Sequence, residues 1–115
     1  MKPKDFAKLF ERDGYCLHCG ETEAISPQHR VNRGMGGSKL RNNSSNLMIL
    51  CSELNFLIES NSYYREMSIE FGWKLESWQD PKQVPVFDGM SGVWYFLDDN
   101  FGRKLSPDPK QERDL

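Results

Sequence analysis

Two groups of residues in this chain have types and spacing that suit chemistry. The first is sulfur: Tyr15-Cys16-Leu17-His18-Cys19-Gly20 is a C-x2-C in a tight turn, and Cys51 follows downstream. In a compartment that keeps thiols reduced, Cys16, Cys19 and Cys51 are explained by metal binding or by burial rather than by disulfides. A thioredoxin-type redox role is not expected, because no βαβ pattern follows the pair. The second is charge. Seventeen acidic residues outnumber fifteen basic ones, yet none lies between Glu23 and Glu53, where Arg30, Arg33, Lys39 and Arg41 fall. An acidic chain that keeps one window positive carries the footprint of a local phosphate contact, although a solvated loop free of carboxylates would look the same.

The elements that must hold these groups follow from periodicity and punctuation. Pro3 to Arg12 sets Phe6, Leu9 and Phe10 at helical spacing, with Pro3 suited to a first turn and Gly14 marking the end. Ala24 to Val31 is expected to be a short strand, weakened at its start by Pro27. Arg33-Gly34-Met35-Gly36-Gly37-Ser38 is expected to be a flexible loop, and Asn42 to Asn46 a turn or cap. Leu47 to Cys51 is an apolar run that suits strand or helix. From Ser52 the pattern turns helical: Ser52 is the expected cap, and Leu54, Leu57 and Ile58 share a face. A further helix from about Ser62 to Phe71 is stopped by Gly72. Val84 to Phe87 and Val93 to Leu97, around Asp88-Gly89-Met90-Ser91-Gly92, form a β-hairpin. Trp73, Trp78 and Trp94 are expected in core or hairpin packing rather than as base-stacking platforms.

At 115 residues the chain is one small domain, and a hydrophobic share of 37% with 28% charged residues is that of an ordinary globular protein. No apolar run approaches the roughly 20 residues a bilayer demands, and the N-terminus lacks a signal-peptide stretch, so no membrane partner and a cytoplasmic location are expected. A net charge of −2 argues against coating nucleic acid by bulk electrostatics.

From Cys16 to Asn61 the order is C-x2-C, Pro27-Gln28-His29-Arg30, Arg33-Gly34-Met35-Gly36-Gly37, Ser45-Asn46-Leu47, Leu50-Cys51, and Ile58-Glu59-Ser60-Asn61. This resembles the HNH endonucleases of bacteriophages and prophages over about half of the chain. Gly72-Trp73, Val84-Pro85-Val86, Trp94 and Leu97-Asp98-Asp99 resemble the carboxy-terminal part of that group. The resemblance implies an α+β fold: a small ββα-metal (His-Me finger) domain over residues 1–104, with an N-terminal helix, an extra helix and a C-terminal β-hairpin. Its core spans about 15–61 and its extension 62–104. The charged, proline-containing stretch 105–115 is expected to be a disordered tail on composition alone. The resemblance also implies hydrolysis of DNA phosphodiester bonds, which needs an activated water, neutralised phosphate charge and a stabilised leaving oxygen. His29 takes the general-base position; imidazole, with an ordinary pKa of about 6.5, accepts a proton at neutral pH. Asn46 matches the asparagine that ties the loop so the histidine is aimed, and Arg30, Arg33, Lys39 or Arg41 would hold flanking phosphates. A phage-encoded protein of this kind works in the host cytoplasm, beside DNA and phage or host protein partners.

The departures from the family pattern are specific. Gln28 stands where a histidine or aspartate ligand is usual, Asn55 where the Cys-His histidine belongs, and Asn61 at the last histidine. Gln28 and Asn55 would offer a divalent cation amide oxygens alone, which suits Mg²⁺ or Mn²⁺ weakly until a phosphate adds charge; Glu59 or Glu53 would compensate if they faced the site. Nickel and zinc, which favour imidazole, do not suit that position. The structural zinc of the family needs four thiolates, and Leu54 stands at the fourth position beside Cys16, Cys19 and Cys51. His18 would have to turn inward to replace it. Two functions follow: a metal-dependent endonuclease, or a catalytically inactive pseudo-nuclease that binds DNA or a protein.

Overall fold

The computed structural model describes residues 3–32 and 42–109. Helix α1 (Pro3–Asp13) is followed by strand β1 (Ile25–His29), a 3-10 turn (Ser44–Asn46), strand β2 (Leu47–Cys51) and helix α2 (Ser52–Ser60). Helix α3 (Ser62–Glu70) and strands β3 (Val86–Asp88), β4 (Val93–Leu97) and β5 (Arg103–Ser106) complete the described order. The architecture is α+β: three helices and two small antiparallel sheets, β1-β2 and β3-β4-β5, among the described residues.

The apolar run Leu47–Cys51 is a strand, all five residues buried. Five residues are too short for a packed helix, and a strand covered on both faces shows no alternation. On one side Leu47 and Ile49 pack with Leu9 of α1. On the other, Met48, Leu50 and Cys51 join Leu54, Ile58, Trp73, Val86 and Leu97 in the larger core. Each fully buried Leu or Ile is worth about 1.5–3 kcal/mol, so this strand is the spine of the domain. Arg12 and Asp13 fasten α1 to it. Arg12 donates to the Ser44 and Leu47 carbonyls at 2.9 and 2.7 Å, and the Ile49 N–H donates to Asp13 at 3.1 Å.

Among the described residues β1 pairs only with β2, so Pro27, which cannot donate, is tolerated opposite Ile49. The helix after β2 is capped differently from expectation. The Cys51 sulfur accepts the Leu54 N–H at 3.4 Å, while the Ser52 hydroxyl donates to the Ala24 carbonyl. Gly72 ends the α3 region at φ +76, and a Cβ there would lie 2.0 Å from the Pro85 carbonyl oxygen, so no other residue fits.

Two expectations are corrected. The tail was placed at 105–115, but Leu105 and Ser106 pair with Tyr95 and Trp94 in β5; residues 110–115 lie outside the described set. Trp73 and Trp94 are buried as expected, whereas Trp78 is 80% exposed, because it sits in the turn region after the core strands rather than under them. No helix among the described residues is long and apolar enough to cross a membrane.

Candidate functional site

The antiparallel register brings Gln28 opposite Met48 and His29 opposite Leu47 at one end of the β1-β2 pair. Beyond His29 the chain is held by Asn46. Its side-chain oxygen accepts the Val31 N–H at 2.8 Å, its amide nitrogen donates to the Val31 carbonyl at 3.0 Å, and its own carbonyl accepts from Arg30 N. A side chain that satisfies both backbone polar groups of one residue, Val31, fixes the chain where it leaves His29. Asn46 is 1% exposed, so it acts as a positioning group and not as a ligand.

Because α2 starts directly after β2, it folds back beside β1. Asn55 and Glu59, four residues apart, lie on one face of the helix. The result is a cleft of about 100 Å³ lined by Gln28, His29, Asn55, Glu59 and Lys74, with Leu50, Ile58 and Trp73 as its apolar part. His29 is half-buried, and its Nε2 lies 2.9 Å from the Asn42 side-chain oxygen. Gln28 donates its amide nitrogen to the Ser26 hydroxyl at 3.3 Å, so its carbonyl oxygen is not used in that bond. Glu59 supplies a carboxylate to the lining, and Lys74 Nζ stands 3.8 Å from it. Gln28, Asn55 and Glu59 give the cleft lining oxygen-bearing side chains, the donor type that hard cations take.

The structure gives Arg30 another task than the expected phosphate contact. It is 0% exposed, and its guanidinium donates to the carbonyls of Gly72, Ser45, Pro81 and Val84 at 2.8, 3.0, 2.7 and 2.6 Å. Burial, and secondarily the nearby Arg12 charge, lower it to about 9, so it remains a cation at neutral pH. A buried guanidinium that gives four of its five N–H groups to carbonyls is not available to a phosphate. Arg33, Lys39 and Arg41 lie outside the described residues. Asn61 is exposed, does not line the cleft, and caps α3 by accepting the Tyr63 N–H.

The three cysteines converge at the opposite end of α2. Their sulfurs all lie within 4.8 Å of one another, and Cys19 and Cys51 are 3.8 Å apart. Cys16 and Cys51 are buried and Cys19 is exposed. His18 does not belong to the cluster. Its ring packs edge-on against Trp73 at 5.7 Å, and burial lowers its pKa.

Asn42, expected in a turn, lies outside the cleft lining but meets His29 from the neighbouring segment, a contact that no local pattern reports. Glu59, expected to compensate only if it faced the site, does line the cleft, as its four-residue spacing from Asn55 allows. Lys74, in the lining too, carries no sequence signal for the site. Compared with protein-family models, with curated proteins and with solved structures, the chain finds no match in any of the three.

Proposed function

We propose that this chain is an HNH-type, metal-dependent endonuclease of phage association that hydrolyses DNA phosphodiester bonds through a ββα-metal site. The observation that carries the reading is one cleft, lined by His29, Gln28, Asn55 and Glu59, on an antiparallel strand pair that runs straight into a helix. Since Asn42 Oδ1 can only accept, the His29 Nε2 carries the proton of that bond. Nδ1 is then the basic atom and takes a proton from water as that water attacks phosphorus. Asn42 and Asn46 hold the ring and its strand in place. Gln28, Asn55 and Glu59 would hold Mg²⁺ or Mn²⁺, which when bound neutralises charge on the phosphate and the departing oxygen. Lys74 beside Glu59 adds a positive charge at the rim.

Supercoiled plasmid incubated with the purified chain and Mg²⁺ or Mn²⁺ tests this. Nicked or linear product is expected, and it disappears in His29→Ala. A pseudo-nuclease is the second reading, favoured by the neutral amides Gln28 and Asn55 and by the Lys74 contact that occupies Glu59. No cleavage with either ion, together with DNA binding that weakens steeply with salt, would replace the first reading by the second. Absence of both would leave a phage or host protein as the partner.

A further inference from the structure

The thiol cluster does not fit the four-thiolate zinc site that the family resemblance implies. Leu54 stands at the fourth position, 2% exposed, and its backbone N–H, not a side-chain donor, faces Cys51. The three sulfurs present nevertheless have the geometry of a metal site. Thiolates bound at about 2.3 Å to a tetrahedral ion sit about 3.8 Å from each other. The Cys19–Cys51 separation is 3.8 Å, and the third sulfur lies within 4.8 Å of both. A disulfide would require about 2.05 Å.

Beside the sulfurs is a cavity of about 140 Å³, lined by His18, Cys19, Cys51, Glu53, Leu54 and Leu57, among others. A water molecule occupies only about 30 Å³ in the liquid, so there is room for solvent or a small thiol. The Cys51 sulfur also accepts the Leu54 N–H at the start of α2, which fixes its position beside the cavity.

We infer that Cys16, Cys19 and Cys51 hold one soft divalent cation of the zinc class through three thiolates, its fourth position left to an exogenous ligand that enters from the cavity beside Leu54. The ion selects sulfur over the oxygen donors of the cleft, so the two sites take different metals. Three thiolates leave the fourth position exchangeable: solvent occupies it in the isolated protein, and a small thiol replaces that water by binding as thiolate and giving its proton to solvent. Because Cys51 also caps α2, the ion braces the helix that carries Asn55 and Glu59. The inference stands whether or not the chain cuts DNA.

Cobalt(II) titration of the reduced full chain tests it. One equivalent is expected to bind with thiolate charge-transfer absorption and a tetrahedral d–d spectrum, zinc is expected to displace it, and Cys19→Ser is expected to lose it. Adding 2-mercaptoethanol shifts the d–d bands of the wild-type complex as a fourth sulfur enters. Leu54→Cys closes the position, so its complex resists chelator at least about tenfold better and its spectrum ignores added thiol. The inference is overturned if no one-to-one complex forms, or if the wild-type spectrum ignores thiol. If wild type is insensitive and His18→Ala becomes sensitive, the imidazole is the fourth ligand and the open position is wrong. Should Leu54→Cys not fold, the wild-type thiol response alone decides.

Discussion

The Nε2 atom of His29 lies 2.9 Å from the side-chain oxygen of Asn42, thirteen residues along the chain, across the opening of the β1-β2 pair. An acceptor-only oxygen there selects one tautomer and aims the other ring nitrogen. On the proposed nuclease reading, Asn42→Ala is expected to lower the cleavage rate roughly 10- to 100-fold, the order of loss when a group that orients a histidine is removed. Asn42→Asp keeps an acceptor and retains most of the activity. Rates on supercoiled plasmid at saturating Mn²⁺ check this; an Ala variant that cuts like wild type would show the bond to be idle.

Glu59 and Lys74 form a pair 3.8 Å apart at the edge of the same cleft. A carboxylate that serves a divalent ion competes with that contact. Glu59→Gln should raise the Mn²⁺ concentration for half-maximal cleavage by roughly tenfold, since hard-cation affinity follows ligand charge. Lys74→Ala should lower it by releasing the carboxylate. A Mn²⁺ dependence unchanged in both variants would remove Glu59 from the site.

Arg30 fastens the end of β1 to three later segments through Gly72, Pro81 and Val84, with Ser45 as a fourth acceptor. Removing the guanidinium strands several buried carbonyls, each costing about 1–3 kcal/mol. Arg30→Met is expected to destabilise the fold by about 3 kcal/mol or more, and Arg30→Lys to recover only part, because an ammonium cannot match the planar fork. Urea midpoints measure this. For Arg30→Lys, where fold is retained, the salt dependence of DNA binding should not change. A loss of about one unit of slope would return Arg30 to the phosphate contacts.

How far the sequence foretold these relationships depends on where their signals lie. β2 was visible because an unbroken apolar run bounded by turns admits few structures, and burial of all five residues resolved the choice toward strand. The encounter of Gln28, His29 and Asn55 followed from motif order, since a strand pair running into a helix has little freedom in where it returns. Arg30 was opaque: its burial depends on carbonyls contributed by distant loops, which no local pattern reports. β5 was hidden for a different reason. Arg103, Lys104 and Leu105 are all exposed, so pairing with β4 places them and no hydrophobic alternation announces the strand. Cys51 illustrates the limit from the other side, because its residue type announced a ligand while its role as the cap of α2 needed coordinates.

Tyr15, next to the first cysteine, donates its hydroxyl to Asp88 at 2.5 Å, joining the cysteine turn to the end of β3. That hydrogen bond first, and burial second, push the phenol from 10.0 up to about 12. Between those values the unfolded chain has released this proton while the folded chain keeps it. The folded state therefore loses stability as pH rises through that window, and the contribution is whole below pH 10. The full difference corresponds to about 2.7 kcal/mol, and solvent reaching the half-buried ring cuts it to roughly 1 kcal/mol. Tyr15→Phe removes this slope. It also lowers stability by about 1–3 kcal/mol at neutral pH, because one oxygen of the buried Asp88 loses its donor while the other keeps the Met90 and Ser91 N–H groups. Urea unfolding of the two proteins from neutral pH upward should give curves that converge between pH 10 and about 12. Curves that stay parallel across that interval would mean the phenol titrates alike in both states, and the Asp88 bond would then not persist in solution.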